Sequence, residues 1–124
     1  MRPALPYFVA KLSMTPLVLT VGYEPQLLAT RSMVLRHAGY FVKEATVLAR
    51  ALREIETDHI DILVVCNTIP FSEKSWFANE VLNRRRLLPV ICIKTHAYEQ
   101  KVPGCVAVEN DPDSLLQALK LVTP

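Results

Sequence analysis

The apolar positions of this chain fall into two kinds of segment that alternate along its length. Leu17-Val-Leu-Thr-Val21 is a short, mostly apolar run of strand formers closed by Gly22, the pattern of a strand buried on both faces. From Pro25 onward, Leu27, Leu28, Val34, Leu35 and Ala38 recur at helical spacing, with Arg31 and Arg36 elsewhere, until Gly39 stops the pattern. Tyr40-Phe-Val42 predicts a second, shorter strand, and Thr46 an N-cap for a helix carrying Leu48, Ala51, Leu52 and Ile55 that ends near Glu56. Ile60 to Cys66, with Ile62-Leu-Val-Val65 at its centre, is the most strand-like stretch and predicts the middle of the sheet.

Asn67-Thr-Ile-Pro70 reads as a loop, and Ser72 as the cap of a third helix with Phe77, Ala78, Val81 and Leu82 on one face and Arg84, Arg85 and Arg86 in its last turn, where cations complement the helix dipole. Pro89-Val-Ile-Cys-Ile93 predicts a fourth strand and Cys105-Val-Ala-Val108 a fifth. The connection from Thr95 to Pro103 is too short for a full crossover helix, which needs about a dozen residues. Asp111-Pro112-Asp113-Ser114 supplies an N-cap, a proline at the first helical position and acid in the first turn, ahead of Leu115, Leu116, Leu119 and Val122. Strand and helix therefore alternate, which calls for a parallel sheet covered by helices on both faces.

Composition narrows the class without naming a function. The 124 residues suit one domain with one core, and 51% hydrophobic against 21% charged residues is a composition that packs. Residues 1–15 read as a flexible N-terminal extension, in which Tyr7, Phe8 and Val9 are candidates for an edge strand or a contact, and 16–124 as a single domain. Fourteen basic and twelve acidic residues, spread along the chain, leave a net charge of +2 and no electrostatic footprint for nucleic acid or an anionic membrane. Pro3, Pro6 and Lys11 interrupt the opening apolar run, so neither a signal peptide nor a spanning segment is expected. Cys66, Cys92 and Cys105 are odd in number and lack C-x-x-C spacing, which argues against a disulfide framework and for a reducing, cytoplasmic setting. His37, His59 and His96 show no metal-ligand spacing, and no metal or cofactor is expected.

Several of these segments together resemble the receiver domain of two-component response regulators. Val18-Leu-Thr-Val21 followed by Gly22-Tyr23-Glu24-Pro25 resembles the first strand and loop of that family, where the strand runs into Asp-Asp-Glu-Pro. Ala38-Gly39-Tyr40 with Ala45 resembles the entry to the second strand, and Asp61-Ile-Leu-Val-Val-Cys66 with Pro70 resembles the third. Pro89-Val-Ile-Cys-Ile93 and Asp111-Pro-Asp-Ser-Leu-Leu116 resemble the fourth strand and the start of the last helix, so the likeness spans about residues 16 to 122. It implies a flavodoxin-like, doubly wound five-stranded parallel sheet of order 2-1-3-4-5, here with the fourth helix short or absent.

The resemblance also implies a phosphorylation pocket that this sequence does not fill. In receivers, two acids after the first strand and an aspartate after the third bind magnesium, and that aspartate accepts a phosphoryl group from a histidine kinase; a hydroxyl residue and a lysine after the fourth and fifth strands hold the phosphate. Here the acidic positions are Gly22 and Tyr23, the acceptor position is Cys66, the hydroxyl position falls on Lys94 with Thr95 one residue late, and the lysine position falls on Val108. Glu24 alone remains, too little for a cation that favours several hard oxygen ligands. The expectation is a degenerate, stand-alone pseudo-receiver. It would not be an enzyme and would act by phosphorylation-independent contact with an unidentified signalling protein, in a two-component or phosphorelay-related bacterial pathway. Phosphotransfer from a histidine kinase is not expected.

Cys66 carries the competing expectation. At the carboxyl end of a central strand and near Lys94 it would be a thiol of lowered pKa, serving a redox sensor or small catalyst, whereas the burial habit of free cysteine makes it a small hydrophobe filling the vacated pocket. It lacks the glycine-rich loop and the arginine six residues on that a cysteine phosphatase needs, Ser72 standing there instead. Trp76, on a polar helix face with Glu73, Glu80 and Asn83, and the Arg84-Arg85-Arg86 run are the candidate interaction surface, with a closed homodimer as one partner arrangement.

Overall fold

The computed structural model describes residues 15–123. Five strands, β1 (Leu17–Val21), β2 (Phe41–Ala45), β3 (Ile62–Val65), β4 (Val90–Ile93) and β5 (Val106–Val108), form one sheet in the order β2-β1-β3-β4-β5, every neighbouring pair parallel. Three helices connect them, α1 (Pro25–His37), α2 (Leu48–Thr57) and α3 (Phe71–Arg84), and a fourth, α4 (Pro112–Val122), follows β5. This is the doubly wound flavodoxin-like order that the sequence predicts, and β4 passes to β5 without a helix, through residues 94–105.

Side-chain alternation along the strands divides the core in two. Val18, Ile62, Val64, Cys66, Ile91 and Ile93 pack on one face against Leu28 and Leu35 of α1 and Leu115, Ala118 and Leu119 of α4. Leu19, Val21, Leu63, Val65 and Cys92 pack on the other against Ala51, Leu52 and Ile55 of α2 and Phe77, Ala78 and Val81 of α3. β3 and β4 are buried along their whole length, as their uninterrupted apolar runs demand.

The helix ends follow local chemistry in part. Pro25 and Pro112 occupy first-turn positions, Asp111 Oδ1 accepts from the Ser114 amide at 2.7 Å, and Gly39 takes a φ of +102° just beyond α1, a conformation open to glycine. Two predicted caps are corrected. α3 starts at Phe71 with Pro70 as its N-cap, so Ser72 is already inside the first turn; α2 starts at Leu48 with Val47 as its N-cap, and neither helix has a side-chain cap. Proline at the end of the β3 loop, with its fixed φ, ends the extended segment one residue before the helix and leaves Ser72 no capping role. Of the three arginines only Arg84 lies in α3; Arg85 is the C-cap and Arg86 follows it. Cys105 precedes β5 rather than opening it. The contacts expected of Tyr7, Phe8 and Val9 lie outside the described residues, as does the extension of residues 1–15 apart from Thr15. No helix among the described residues is long and apolar enough to cross a membrane.

Candidate functional site

In an open parallel sheet the loops at the carboxyl ends of the strands converge where strand order reverses, between β1 and β3. Gly22-Tyr23-Glu24 follows β1, Cys66-Asn67-Thr68 follows β3, Lys94-Thr95 follows β4 and Glu109-Asn110 follows β5. The structure brings these four loops together. Most of their polar side chains are engaged, with one another or with the neighbouring helices α1 and α3.

The Cys66 amide donates to the Val21 carbonyl at 2.8 Å, which continues the β1–β3 ladder one step past the strands and turns the cysteine side chain into the α1/α4 face of the core. Only 1% of Cys66 is exposed. Its neighbour across the ladder is Gly22, and the approach is close: a Cβ on Gly22 would lie 3.1 Å from Cys66 Cβ and 3.1 Å from Thr68 Oγ1. The Tyr23 amide donates to Thr68 Oγ1 at 3.0 Å, and the Tyr23 hydroxyl donates to Glu73 Oε1 on α3. Partial burial together with the Glu73 carboxylate pushes the tyrosine up to about 12, so the ring stays a neutral donor laid across the loop. Glu24 is engaged at the N-terminus of α1, where its Oε1 accepts from the Gln26 amide at 3.4 Å.

Burial pushes the Cys66 thiol up to about 11, although Arg31 and Lys74 pull the other way. A sensor or catalytic thiol needs the opposite shift. Lys94 does not supply it, because Lys94 Nζ turns away to pair with Glu109 Oε2 at 2.7 Å. The expected Cys66–Lys94 partnership is thereby corrected: β5 offers a carboxylate at the mouth of the loop, and a surface ammonium stays with it rather than entering an apolar pocket. Val108 is likewise no phosphate ligand, being a buried strand residue in register with Ile93. Thr95, in contrast, does reach the site, where its hydroxyl donates to the Asn67 carbonyl at 3.0 Å.

Three side chains that sequence reasoning gave no role in the site organise the rest. Lys74 of α3 is fully buried, and its ammonium places all three donors: Ile93 O at 2.9 Å, Glu99 Oε2 at 2.7 Å and Thr95 Oγ1 at 3.4 Å. Glu99, in the helixless segment, also accepts from the Thr95 amide at 3.2 Å through Oε1. Burial raises its carboxyl, but the Lys74 and Thr95 hydrogen bonds outweigh this and hold it below the usual carboxylate range. Arg31 of α1 donates to Asn67 Oδ1 at 2.7 Å and to Asn110 Oδ1 at 2.6 Å, tying the β3 loop to the β5 loop. A signal for Lys74 did exist in the sequence. It stands at the head of the 74, 77, 78, 81 stripe, the apolar face of α3.

Among the described residues no three His, Cys, Asp or Glu side chains are placed to hold a metal ion together. Trp76 is 51% exposed and lines a groove of about 390 Å³ with Ser72, Ser75, Asn79, Val102 and Pro103, on the side of the molecule where β4 passes to β5 without a helix. The arginines form a separate surface near the opposite end of α3. Arg84 pairs with Glu56 and Glu80, Arg85 donates to the Ile60 carbonyl at 2.7 Å, and Arg86 lines a shallow groove with Asp61 and Pro89.

No protein-family model matches the chain, and no curated protein matches it in sequence. Solved structures match its fold closely. The chemotaxis protein CheY4 of Vibrio cholerae superposes with a TM-score of 0.75 at 21% identity, over 87% of this chain and 98% of that one. The receiver domain of the hybrid histidine kinase CckA gives 0.71 at 23% identity, over 87% and 99%. The response regulator TrrA of Thermotoga maritima, in complex with Mg(2+)-BeF, gives 0.74 at 17% identity, over 86% and 98%. The chain has the fold of a CheY-like receiver domain.

Proposed function

We propose that this chain is a pseudo-receiver that signals by protein–protein contact, without an aspartyl-phosphate switch and without enzymatic activity of its own. The observation that carries the reading is Cys66. At the end of β3, where the resemblance to receivers places the acceptor carboxylate, stands a buried thiol pressed against Gly22, itself in the place of a metal-binding acid. An aspartyl-phosphate switch requires a carboxylate nucleophile and a cation to neutralise charge developing on the phosphoryl oxygens. The nearby carboxylates are each committed elsewhere, Glu24 to the helix end, Glu73 to Tyr23, Glu99 to Lys74 and Glu109 to Lys94. Half-exposed Trp76 beside its groove is the anchor on which a signalling partner, or a second copy of the chain, would dock.

The test is incubation of the folded protein with acetyl phosphate and magnesium, read by intact mass at neutral pH. The expected spectrum is unchanged. A gain of one phosphoryl group mapped to residues 22–24 or 66–68 would overturn the proposal.

A further inference from the structure

Arg31 is a cation whose charge the chain does not compensate. Among the described residues it forms no ion pair; both donors of its Nη2 go to neutral amides, Asn67 Oδ1 at 2.7 Å and Asn110 Oδ1 at 2.6 Å. Its Nε is buried without an acceptor, and Nη1 makes no hydrogen bond to the described residues. A half-buried guanidinium that meets two amides and no carboxylate is under-satisfied, since buried polar groups ordinarily find partners.

This side chain lines a cavity of about 200 Å³ between α1 and α4. Leu27 and Val34, one helical turn to either side of Arg31, share its face of α1, and Leu115 borders the cavity from α4. The second charge on the wall is Asp111, the N-cap of α4. Its Oδ1 accepts from the Ser114 amide at 2.7 Å and its Oδ2 from the Ser114 hydroxyl at 2.8 Å. These bonds hold the carboxyl below its usual range and leave each oxygen a further lone pair. Arg31 and Asp111 do not pair with each other, so the cavity presents a cation and an anion separately among aliphatic walls.

We infer that this cavity binds a free α-amino acid with a branched aliphatic side chain. The ligand carboxylate accepts from Arg31 Nη1, its ammonium donates to the Asp111 carboxylate, and its side chain lies against Leu27, Val34 and Leu115. Each ligand charge then meets its opposite, whereas a simple anion would face Asp111 and a simple amine would face Arg31. The volume lies below about 300 Å³, where pockets for drug-sized molecules begin, and suits a ligand of amino-acid size. Because Arg31 also joins the β3 and β5 loops, filling the cavity acts on the carboxyl edge of the sheet. Cys66 is not among the lining residues, and occupancy does not depend on whether the chain accepts phosphate.

The test titrates the full, isotopically labelled chain with L-leucine at neutral pH and follows its amide proton–nitrogen NMR spectra. The expected result is saturable shifts centred on residues 27–34 and 110–115. Isovalerate, which lacks the ammonium, and isopentylamine, which lacks the carboxylate, should each bind at least about tenfold more weakly, the loss that goes with one hydrogen-bonded charge. Asp111→Asn keeps a good N-cap while removing the charge, and should weaken leucine by the same factor without weakening isovalerate. Arg31→Gln should weaken both. An absence of saturable shifts with leucine at millimolar concentration, shifts centred elsewhere, isovalerate binding as tightly as leucine, or unchanged leucine affinity in folded Asp111→Asn would each overturn the inference. The three ligands compared on the wild-type chain are decisive by themselves, so misfolding of a variant cannot hide the answer.

Discussion

Lys74 is the residue on which the interior of the site depends. A lysine with no exposed surface is tolerable because each of its three donors meets an oxygen, one of them the charged Glu99 whose side chain is 4% exposed. Removing one member of such a pair leaves the other buried and uncompensated, which costs about 3–5 kcal/mol, whereas removing both costs much less. Lys74→Met should therefore lower unfolding free energy by about that amount in urea titrations at pH 7, and Lys74→Met combined with Glu99→Leu should recover most of it. The sign of the pH dependence is set by Glu99, whose carboxyl is lowered in the folded chain. Its contribution is complete above its ordinary value of 4.5 and is lost as the pH falls through the lower folded value. In Lys74→Met the lone buried carboxyl is instead easier to protonate, so the gap between variant and wild type should narrow below pH 4.5. A gap that stays constant with pH would show that the loss comes from packing rather than from the ion pair.

At the level of elements, the segment between β4 and β5 distinguishes this chain. Lacking helical hydrogen bonds, residues 94–105 are held by Glu99, which receives Lys74 and the Thr95 amide, by the Glu99 amide donating to the His96 carbonyl, and by the buried side chain of Val102. Tyr98, at 93% exposure, and Lys101 lie on its outer side. Beyond Lys94, which pairs with Glu109, the segment's one charged tie is Glu99 with Lys74; its middle should open locally when that tie is removed, and proteolysis of an open form follows its population, tenfold for each 1.4 kcal/mol or so. Glu99→Gln should thus be cut by trypsin after Lys101 at least about tenfold faster than wild type under native conditions, with cleavage in α1 unchanged. The missing helix was legible from the chain because counting residues between two apolar runs is enough. What replaced the helix was not, since a lysine and a glutamate 25 residues apart carry no local pattern that pairs them. The cap assignments at Thr46 and Ser72 missed for a related reason: hydroxyl residues near a helix start are plausible caps anywhere, and the backbone at Val47 and Pro70 decided otherwise.

Across the whole molecule, strand order and helix placement follow from apolar runs whose period and length leave few alternatives, and Cys66 and Thr95 fall in the site as the strand ends require. The contacts that set the chemistry run between loops far apart in sequence, as when Arg31 bridges Asn67 and Asn110 or Lys94 turns to Glu109, and no single segment foretells them. The same distribution implies that receiver chemistry is not one substitution away. Cys66→Asp would place a carboxylate at the end of β3, but Gly22 and Tyr23 still bring no acid from β1, and Lys74 remains bound to Glu99. The new carboxylate would enter a site that is 1% exposed and packed against Gly22, with no hydrogen-bond donor committed to it. Its burial should cost roughly 2–4 kcal/mol of stability. With the cation site unbuilt, the variant should gain no phosphoryl mass from acetyl phosphate and magnesium while keeping a native far-UV circular dichroism spectrum. A folded Cys66→Asp protein that accepts phosphate would mean that the remaining loops already bind magnesium, and that the acceptor alone separates this chain from an active receiver.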